Sequence, residues 1–280
     1  RSRAASGRIG RTPFTGIPYA VHVDKVRESS GRSRGFKFAM LSGIAAYLVD
    51  SPIILVPESG QGALGPVIVT AAHAYPDYRN HPLFTSRMER FLGVLFGQQV
   101  RFSFPRIWNT KAQTLRAYVD IATAPDWEHT RSCWRSSQWA SVSGKLRHCG
   151  VCAACMLRRM SVHAAGFTES DTTYIAVDLG SKTVEGSVDP AYRHFNRAFG
   201  EYALAGALHL EHLADLGRPG RGRAALEHAA LIAPSLDLAE SDAEKLMASM
   251  IAQHKSEWEA FVAAQGSESF LRSWTRCSNG

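Results

Sequence analysis

The stretch that decides the fold is residues 132–159, which read SCWRSSQWASVSGKLRHCGVCAACMLRR. Within it, four cysteines follow the spacing C-x15-C-x2-C-x2-C: Cys133, Cys149, Cys152 and Cys155. Paired thiolates on a glycine-containing turn can point at one ion, and four sulfurs about 2.3 Å from Zn²⁺ make a closed tetrahedral site. The spacing therefore predicts a structural zinc site that leaves no coordination position for a catalytic water.

Disulfide bonds are the alternative interpretation of the same cysteines. The sequence shows no charged and then apolar leader with a small-residue cleavage site, which predicts a cytoplasmic chain. Because thiol buffering keeps cytoplasmic cysteines reduced, we expect metal binding rather than disulfides. The first residue is Arg1, and we expect the chain to be processed or to be a piece of a longer one.

Composition places the chain among globular proteins. Its 280 residues are 45% hydrophobic and 20% charged, which excludes disordered and collagen-like classes. The longest apolar run, residues 38–49, has about a dozen residues, whereas a bilayer-spanning helix needs about 20. We therefore expect no association with a membrane.

The net charge of +7 is concentrated near the amino terminus. Residues 1–34 contain eight Lys or Arg against Asp24 and Glu28, a balance of +6, so the remainder is close to neutral. Residues 1–34 are predicted to be a basic arm or linker. Such an arm can contact phosphates, and it can equally be a solvated tail.

Apolar patterning after the arm predicts an α/β fold. Residues 35–49 are apolar nearly all round, which indicates a buried helix, and residues 53–56 are a short β-branched run typical of a strand buried on both faces. Helical spacing in residues 86–96 precedes a second strand at residues 100–104, and Asn109 or Thr110 can cap another helix. A strand, a crossover helix and a strand predict a parallel sheet.

After residue 161 the sequence becomes rich in alanine and its apolar residues follow helical spacing. Apolar faces repeat at helical spacing, with Phe199, Leu210 and Leu213 on one and Met250, Trp258 and Phe261 on another. His254 lies on the second face, where a packing residue is expected rather than a ligand. We predict an α/β domain at residues 35–165, containing the zinc segment 133–155, and an α-helical extension at residues 166–280.

Ligands of open parallel sheets bind beyond the carboxyl ends of the strands. The loop after residues 53–56 begins with Glu58 and reaches the sequence HAYPDYR, so Tyr75, Asp77 and Arg79 are expected to line that crevice. A fixed carboxylate can accept two hydrogen bonds from a guanine-like ring, and tyrosines offer stacking faces. A plain surface turn is the competing interpretation of these residues.

Basic residues at two predicted helix starts indicate an anionic ligand. Arg32 and Arg34 precede the apolar helix, and Thr110 with Lys111 begins another helix after a strand. Free N–H groups, the helix dipole and cationic side chains together favour phosphate or carboxylate binding. The combined prediction is a site for a ligand that is both anionic and similar to a nucleobase.

The zinc segment, with its CGVCAAC sequence followed by Arg158, resembles the 7-cyano-7-deazaguanine synthases, the QueC-like family of the PP-loop ATP pyrophosphatase superfamily. HAYPDYR is similar to that family's tyrosine-proline-aspartate motif, and the Arg32–Arg34 and Thr110–Lys111 segments occur in the matching order. The resemblance covers roughly residues 30–165 and implies a Rossmann-like parallel sheet of the PP-loop ATPase type.

The resemblance also implies a function. Family members are ATP-dependent ligases that use ATP and Mg²⁺ to convert 7-carboxy-7-deazaguanine to the nitrile in queuosine biosynthesis. Carried over to this chain, Asp77 would contact the pyrimidinone edge of the base, Arg34 the carboxylate, and Lys111 the nucleotide phosphates. Glu58, Tyr75 and Arg79 would complete the substrate site, and Arg32 and Thr110 the nucleotide site.

The sequence also departs from the family. The pyrophosphate-binding Ser-Gly-Gly-x-Asp-Ser loop does not occur in the 280 residues, so we expect no adenylation by this chain alone. Extended relatives occur in anti-phage gene clusters, which implies a variant that modifies a partner protein; a homodimer is a further expectation. The alternative is a non-enzymatic zinc-ribbon module whose basic arm binds nucleic acid.

Overall fold

The computed structural model describes residues 33–72, 74–123, 125–135 and 140–275. The basic arm therefore lies outside the described residues apart from Ser33 and Arg34, and Arg32 lies outside them too. Of the helices that the structure describes, none combines the length and the apolar character needed to cross a bilayer.

The first part of the chain alternates helices with two strands. In order, its elements are α1 (Arg34–Leu48), β1 (Ile53–Leu55), α2 (Gly60–Ala63), α3 (Gly65–Ile68), α4 (Pro82–Phe96), β2 (Arg101–Ser103) and α5 (Lys111–Ile121). The two strands are parallel, with Ile54 opposite Phe102. The predicted parallel pairing with helical crossovers is confirmed, while a Rossmann-like sheet of the PP-loop type stays a prediction because the described parallel sheet has two strands.

The cysteine segment and the extension follow. Their elements are a 3-10 turn at Trp127–His129, the hairpin β3 (Ser141–Val142) and β4 (Lys145–Leu146), α6 (Ala153–Ala164), α7 (Arg197–Asp215), α8 (Arg223–Ile232), α9 (Glu240–Ala263) and α10 (Phe270–Ser273). The described fold is thus a mostly helical α/β arrangement. The alanine-rich helices predicted beyond residue 161 are confirmed.

Two burial predictions in the first part are wrong. β1 is not buried on both faces, since Ile53 is 53% and Leu55 is 65% exposed. Helix α1 is buried only along a stripe of small residues: Gly35, Ala39, Gly43 and Ala46. That stripe allows close approach of α4, because a Cβ on Gly43 would come within 2.5 Å of a Leu92 methyl group. Large side chains of α1 such as Phe36 and Phe38 are half exposed, and the Phe36 ring lies against Phe91 at the margin of the contact with α4.

The buried side chains form two hydrophobic clusters. One surrounds the cysteines and takes in Phe199 and Trp258 of the extension. The other lies between the strands, α4 and the helices α8 and α9, and includes Leu92 and Met247. Each cluster contains residues from both sides of the predicted boundary at 165/166. That domain division stays a prediction, and the packing shows that the extension shares its core with the preceding part.

Candidate functional site: a four-cysteine centre and a crevice loop

The four cysteines predicted as metal ligands converge in space. Their sulfur atoms all lie within 4.8 Å of one another, and the Sγ atoms of Cys149 and Cys155 are 3.7 Å apart. A tetrahedron with Zn–S bonds of about 2.3 Å has edges of about 3.8 Å. The donor set and its size therefore fit a metal ion such as zinc, and the four cysteines are free of disulfides.

The turn between Cys149 and Cys152 gives this centre its shape. Gly150 has a left-handed φ of 84°, and a Cβ there would lie 2.9 Å from the backbone oxygen of Ala176. Glycine is the residue that meets both conditions. The turn also aims backbone N–H groups at sulfur: Cys149 N donates to Cys133 Sγ at 3.2 Å, and Cys152 N to Cys149 Sγ at 3.3 Å.

The start of α6 supplies favourable electrostatics. Cys152 is the N-cap residue of α6, and Cys155 lies in its first turn. The positive end of a helix dipole stabilises thiolates there. Hydrogen bonds from the thiol of Cys149 and its neighbours lower the pKa of Cys133, while burial raises the pKa of Cys155. The bare sulfurs thus differ in how readily they ionise, and a dication would stabilise all four as thiolates.

Arg158 ties α6 to the chain that leads into Cys133. Its guanidinium pairs with Glu169 at 2.7 Å and donates to the backbone oxygen of Thr130 at 2.9 Å, and it lies over the Trp127 ring. Both partners of the ion pair are buried. The arginine of the sequence motif therefore positions the segment that presents the first cysteine.

The extension packs directly on the four-cysteine centre. A Cβ on Gly206 of α7 would lie 2.7 Å from the oxygen of Val151 and 2.8 Å from the nitrogen of Ala153. Only a glycine allows the α7 backbone to lie this close to the turn that carries Cys152. The cysteine centre is consequently enclosed by helices that follow it in sequence.

A second constellation forms at the loop after β1. The Lys111 ammonium pairs with the Glu58 carboxylate at 3.1 Å, and both side chains are partly exposed. Two residues from separate predicted sites are thereby brought together, since Glu58 follows β1 and Lys111 begins α5 after β2. The pair marks the carboxyl ends of the two parallel strands, where ligands of such sheets bind.

The N-terminus of α5 is largely satisfied by protein groups. Thr110 and Gln113 form a reciprocal capping box, in which Gln113 N donates to Thr110 Oγ1 at 3.2 Å. The backbone N–H of Lys111 donates to Gln61 Oε1 at 2.7 Å. An anion at this end would therefore contact chiefly the Lys111 side chain, and a direct phosphate contact by Thr110 stays a prediction.

The HAYPDYR loop contains an internal ion pair. Arg79 Nε donates to Asp77 Oδ1 at 2.9 Å and to Oδ2 at 2.6 Å, and Tyr75 is largely exposed. A Cβ on Gly35 would lie 2.8 Å from Arg79 Cγ, so the first turn of α1, which begins at Arg34, lies against this loop. The structure brings the Arg34 segment, Asp77 and Arg79 into one neighbourhood, and the role of each in binding stays a prediction.

Two histidines fix the end of that loop. His81 Nδ1 accepts a hydrogen bond from Leu83 N at 3.2 Å and caps α4. The proton of a neutral His81 therefore lies on Nε2, which donates to His228 Nε2 of α8 at 2.7 Å. Burial and the neighbouring His228 lower the pKa of His81 to about 3.

Two cavities among the described residues are lined by residues other than the predicted substrate residues. One, of about 190 Å³, lies beside α6 and is lined by Arg159, Glu169, Tyr174 and Phe261 among others. The other, of about 380 Å³, lies between β2 and residues 235–238 and is lined by Phe102, Trp108 and Leu236 among others.

Sequence reasoning missed the residues that hold the crevice loops. Gln61, His81, His228 and Glu257 were not singled out, and His254 was expected to be a packing residue. His254 is indeed fully buried, and it also hydrogen-bonds Gln61 across 193 residues of sequence. No local spacing signals such a partner.

Residues 63–166 match the family model of the queuosine biosynthesis protein QueC. This part of the chain is QueC-like. The QueC-like segment contains the Tyr75–Arg79 loop, Thr110, Lys111 and all four cysteines, whereas Arg34 and Glu58 precede it. No curated protein and no solved structure matches the chain.

Proposed function

We propose that the chain binds 7-carboxy-7-deazaguanine as a QueC-like protein of the 7-cyano-7-deazaguanine synthase type. The observation that carries the proposal is the QueC match, because one matched segment holds the Tyr75–Arg79 loop, Lys111 and the four cysteines. QueC-family ligases use ATP and Mg²⁺, which would supply carboxylate activation. Binding of the base, and of a nucleotide at Lys111, is the part of this activity that we assign to the chain by itself.

The state of Asp77 suits recognition of a guanine-like edge. Its carboxylate has about four lone-pair positions. Arg79 engages both oxygens, with its backbone N–H and Nε donating to Oδ1 and its guanidinium to Oδ2. Arg79 holds the carboxylate in one orientation, and both side chains remain partly exposed. A deazaguanine would donate its N1–H and 2-amino group to the carboxylate in place of the Arg79 guanidinium, and Tyr75 offers a stacking face.

The charges around the crevice suit the rest of the ligand. Arg34 begins α1, whose first turn lies against the Asp77 loop at Arg79, and its guanidinium would pair with the carboxylate of the base. Lys111 is held by Glu58 and would exchange that partner for a nucleotide phosphate. Zinc on the four cysteines would be structural, because four thiolates leave no site for substrate.

Calorimetric titration with 7-carboxy-7-deazaguanine tests the proposal. Wild type is expected to bind one equivalent, and Asp77→Asn to bind at least about tenfold more weakly, because one acceptor oxygen is replaced by a donor amide. Asp242→Asn is the matched control, since Asp242 lies exposed on α9 in a pair with Lys245. Equal affinity of wild type and Asp77→Asn would refute the assignment of the base site.

The basic arm favours the second candidate, a zinc module that binds nucleic acid. Binding through phosphates weakens steeply with salt, whereas recognition of a neutral base edge does not. We expect the deazaguanine affinity to change little between 50 and 200 mM salt, as about two charged contacts at most are involved. Salt-dependent affinity for any duplex, without deazaguanine binding, would favour the module instead.

We further propose a partner protein as the acyl acceptor, in keeping with the anti-phage variant that the extended length suggests. The support is the shared core of the extension and the QueC-like segment, which makes the extension integral to this protein. Intact-mass analysis of candidate partners co-expressed with the chain tests this. A partner that gains the mass of an attached deazaguanine would support the proposal. Partners that stay unmodified in cells that make 7-carboxy-7-deazaguanine would contradict it.

A further inference from the structure

One face of α9 reaches the loops of the crevice. Met250, His254 and Glu257 lie on this face at helical spacing and are all buried. A Cβ on Gly60, the first residue of α2, would lie 3.2 Å from the Met250 terminal methyl. Helix α9 therefore contacts the junction of α2 and α5 through an apolar residue and two polar residues of the extension.

His254 connects this helix to the backbone of Lys111. Its Nε2 lies 2.9 Å from the carbonyl oxygen of Leu210, which can only accept, so Nε2 carries the proton. Its Nδ1 is then an acceptor and takes the Gln61 side-chain amide at 2.8 Å. The oxygen of the same Gln61 amide accepts the Lys111 N–H at 2.7 Å.

Glu257 makes a parallel connection to Thr110. Its Oε1 accepts the Thr110 hydroxyl at 2.7 Å and the Gln253 amide at 3.0 Å. Thr110 is the capping residue of α5, and its Oγ1 also accepts the Gln113 N–H. The two connections therefore end on adjacent residues at the start of the helix that carries Lys111.

We infer that His254 and Glu257 are positioning residues for the crevice site. They fix the turn at Thr110 and Lys111, and through it the partly exposed pair of Lys111 with Glu58. The extension thus supplies residues that hold the ligand site in place. The expected effect on ligand binding rests on the proposed function. The inference that His254 and Glu257 fix the turn at Thr110 and Lys111 is independent of it.

Two substitutions of His254 separate its two hydrogen bonds. His254→Asn keeps an acceptor near the position of Nδ1, for Gln61, whereas His254→Gln keeps a donor near the position of Nε2, for Leu210. Glu257→Gln, which retains an acceptor oxygen for Thr110, and Glu257→Leu, which does not, form a second pair. Met250→Leu is the control on the same face, since it alters packing without any polar connection.

Hydrogen exchange of the ligand-free, zinc-loaded chain is the first readout. His254→Gln and Glu257→Leu are expected to raise exchange in residues 107–114 by about tenfold, while residues 153–164 of α6 keep wild-type protection. His254→Asn, Glu257→Gln and Met250→Leu are expected to match wild type in both segments. Wild-type exchange at 107–114 in the two disrupted variants, or equal loss in both segments, would overturn the inference.

Calorimetric titration with Mg-ATP is the second readout. We expect about tenfold weaker binding for His254→Gln and at most about twofold for His254→Asn. Equal losses in both variants would show a merely structural role and overturn the inference. If wild type binds neither Mg-ATP nor the deazaguanine while the exchange result holds, the proposed function fails and the fixing of the Lys111 turn stands.

Discussion

The four-cysteine centre and the crevice loop are built in different ways. The cysteine centre takes all four ligands from within 23 residues of sequence. The crevice loops are held by partners far along the chain: His254 is 193 residues from Gln61, and Glu257 is 147 residues from Thr110. The ligands of the cysteine centre therefore come from one short segment, whereas the crevice loops are held by residues of the extension.

Because of this difference, we expect the cysteine centre to determine the stability of the fold and the crevice contacts to determine the position of the ligand-binding residues. A metal on the cysteine centre would bind only the folded chain, so the centre should govern whether the protein folds. The crevice loops are anchored by individual hydrogen bonds, each of which contributes about 1 kcal/mol. Damage at the crevice should therefore change local order and binding before it changes folding.

Loss of a cysteine ligand is expected to have the largest effect. Cys152→Ser should abolish stoichiometric zinc and lower the free energy of unfolding by several kcal/mol, because structural zinc contributes on the order of 10 kcal/mol. Cys277→Ser is the control, since Cys277 lies outside the four-cysteine spacing. Zinc analysis with thermal unfolding measures both quantities, and a Cys152→Ser protein that keeps zinc and stability would contradict the assignment.

A methyl group on α7 probes the contact between the extension and the cysteine centre. Gly206→Ala should lower the free energy of unfolding by about 2 kcal/mol, because the new Cβ meets backbone atoms of residues 151–153. Gly200→Ala on the same helix meets nothing within 4 Å and should be neutral or stabilising by up to about 1 kcal/mol. Urea denaturation compares the two, and equal effects would show that the close contact does not exist.

Mild acid should lower the free energy of unfolding, because two of the histidines that hold the crevice loops are buried. Burial lowers the pKa of His254 to about 4, and burial with His228 lowers that of His81 to about 3, from an ordinary value of 6.5. Below pH 6.5 these histidines bind protons in the unfolded chain and stay neutral in the folded chain. Their contribution to the free energy of unfolding is therefore complete above pH 6.5 and is lost as the pH falls toward their pKa values in the folded chain. Each histidine contributes a slope of up to about 1.4 kcal/mol per pH unit.

Urea midpoints at pH 7.5, 6.5 and 5.5 measure this slope. His254→Asn should reduce it, since it removes one of the buried histidines while keeping the bond to Gln61. An exposed histidine, His129, provides the matched control as His129→Asn. A slope that His254→Asn leaves unchanged would show that His254 is not buried in neutral form.

The sequence predicted what depends on local spacing. The four cysteines, a helix cap at Asn109 or Thr110 and the parallel pairing of two strands all follow from short-range patterns. The structure brings the cysteines together, pairs the strands and has Thr110 as the cap. Burial of β1 and of α1 was predicted wrongly, because an apolar run does not reveal what covers it. Only tertiary packing shows that the small residues of α1 face α4.

Long-range polar contacts could not be predicted. The pairing of His81 with His228 and of Gln61 with His254 depends on how the extension packs on the strands. Lone histidines on apolar helix faces give no sign of a partner 147 or 193 residues away. The position of the loop after the first strand and the helix start after the second gave Asp77 and Lys111 as candidates, and the QueC resemblance gave them roles. Neither argument identified the groups that hold them.

Native mass spectrometry of the purified chain tests the central claim most directly. The chain is titrated with 7-carboxy-7-deazaguanine and, in parallel, with 7-deazaadenine as a decoy that lacks the guanine edge. We predict one zinc and one 7-carboxy-7-deazaguanine per chain, with the decoy left unbound. A chain without zinc, or one that takes up both bases equally, would contradict a zinc-stabilised fold that recognises a carboxylated deazaguanine.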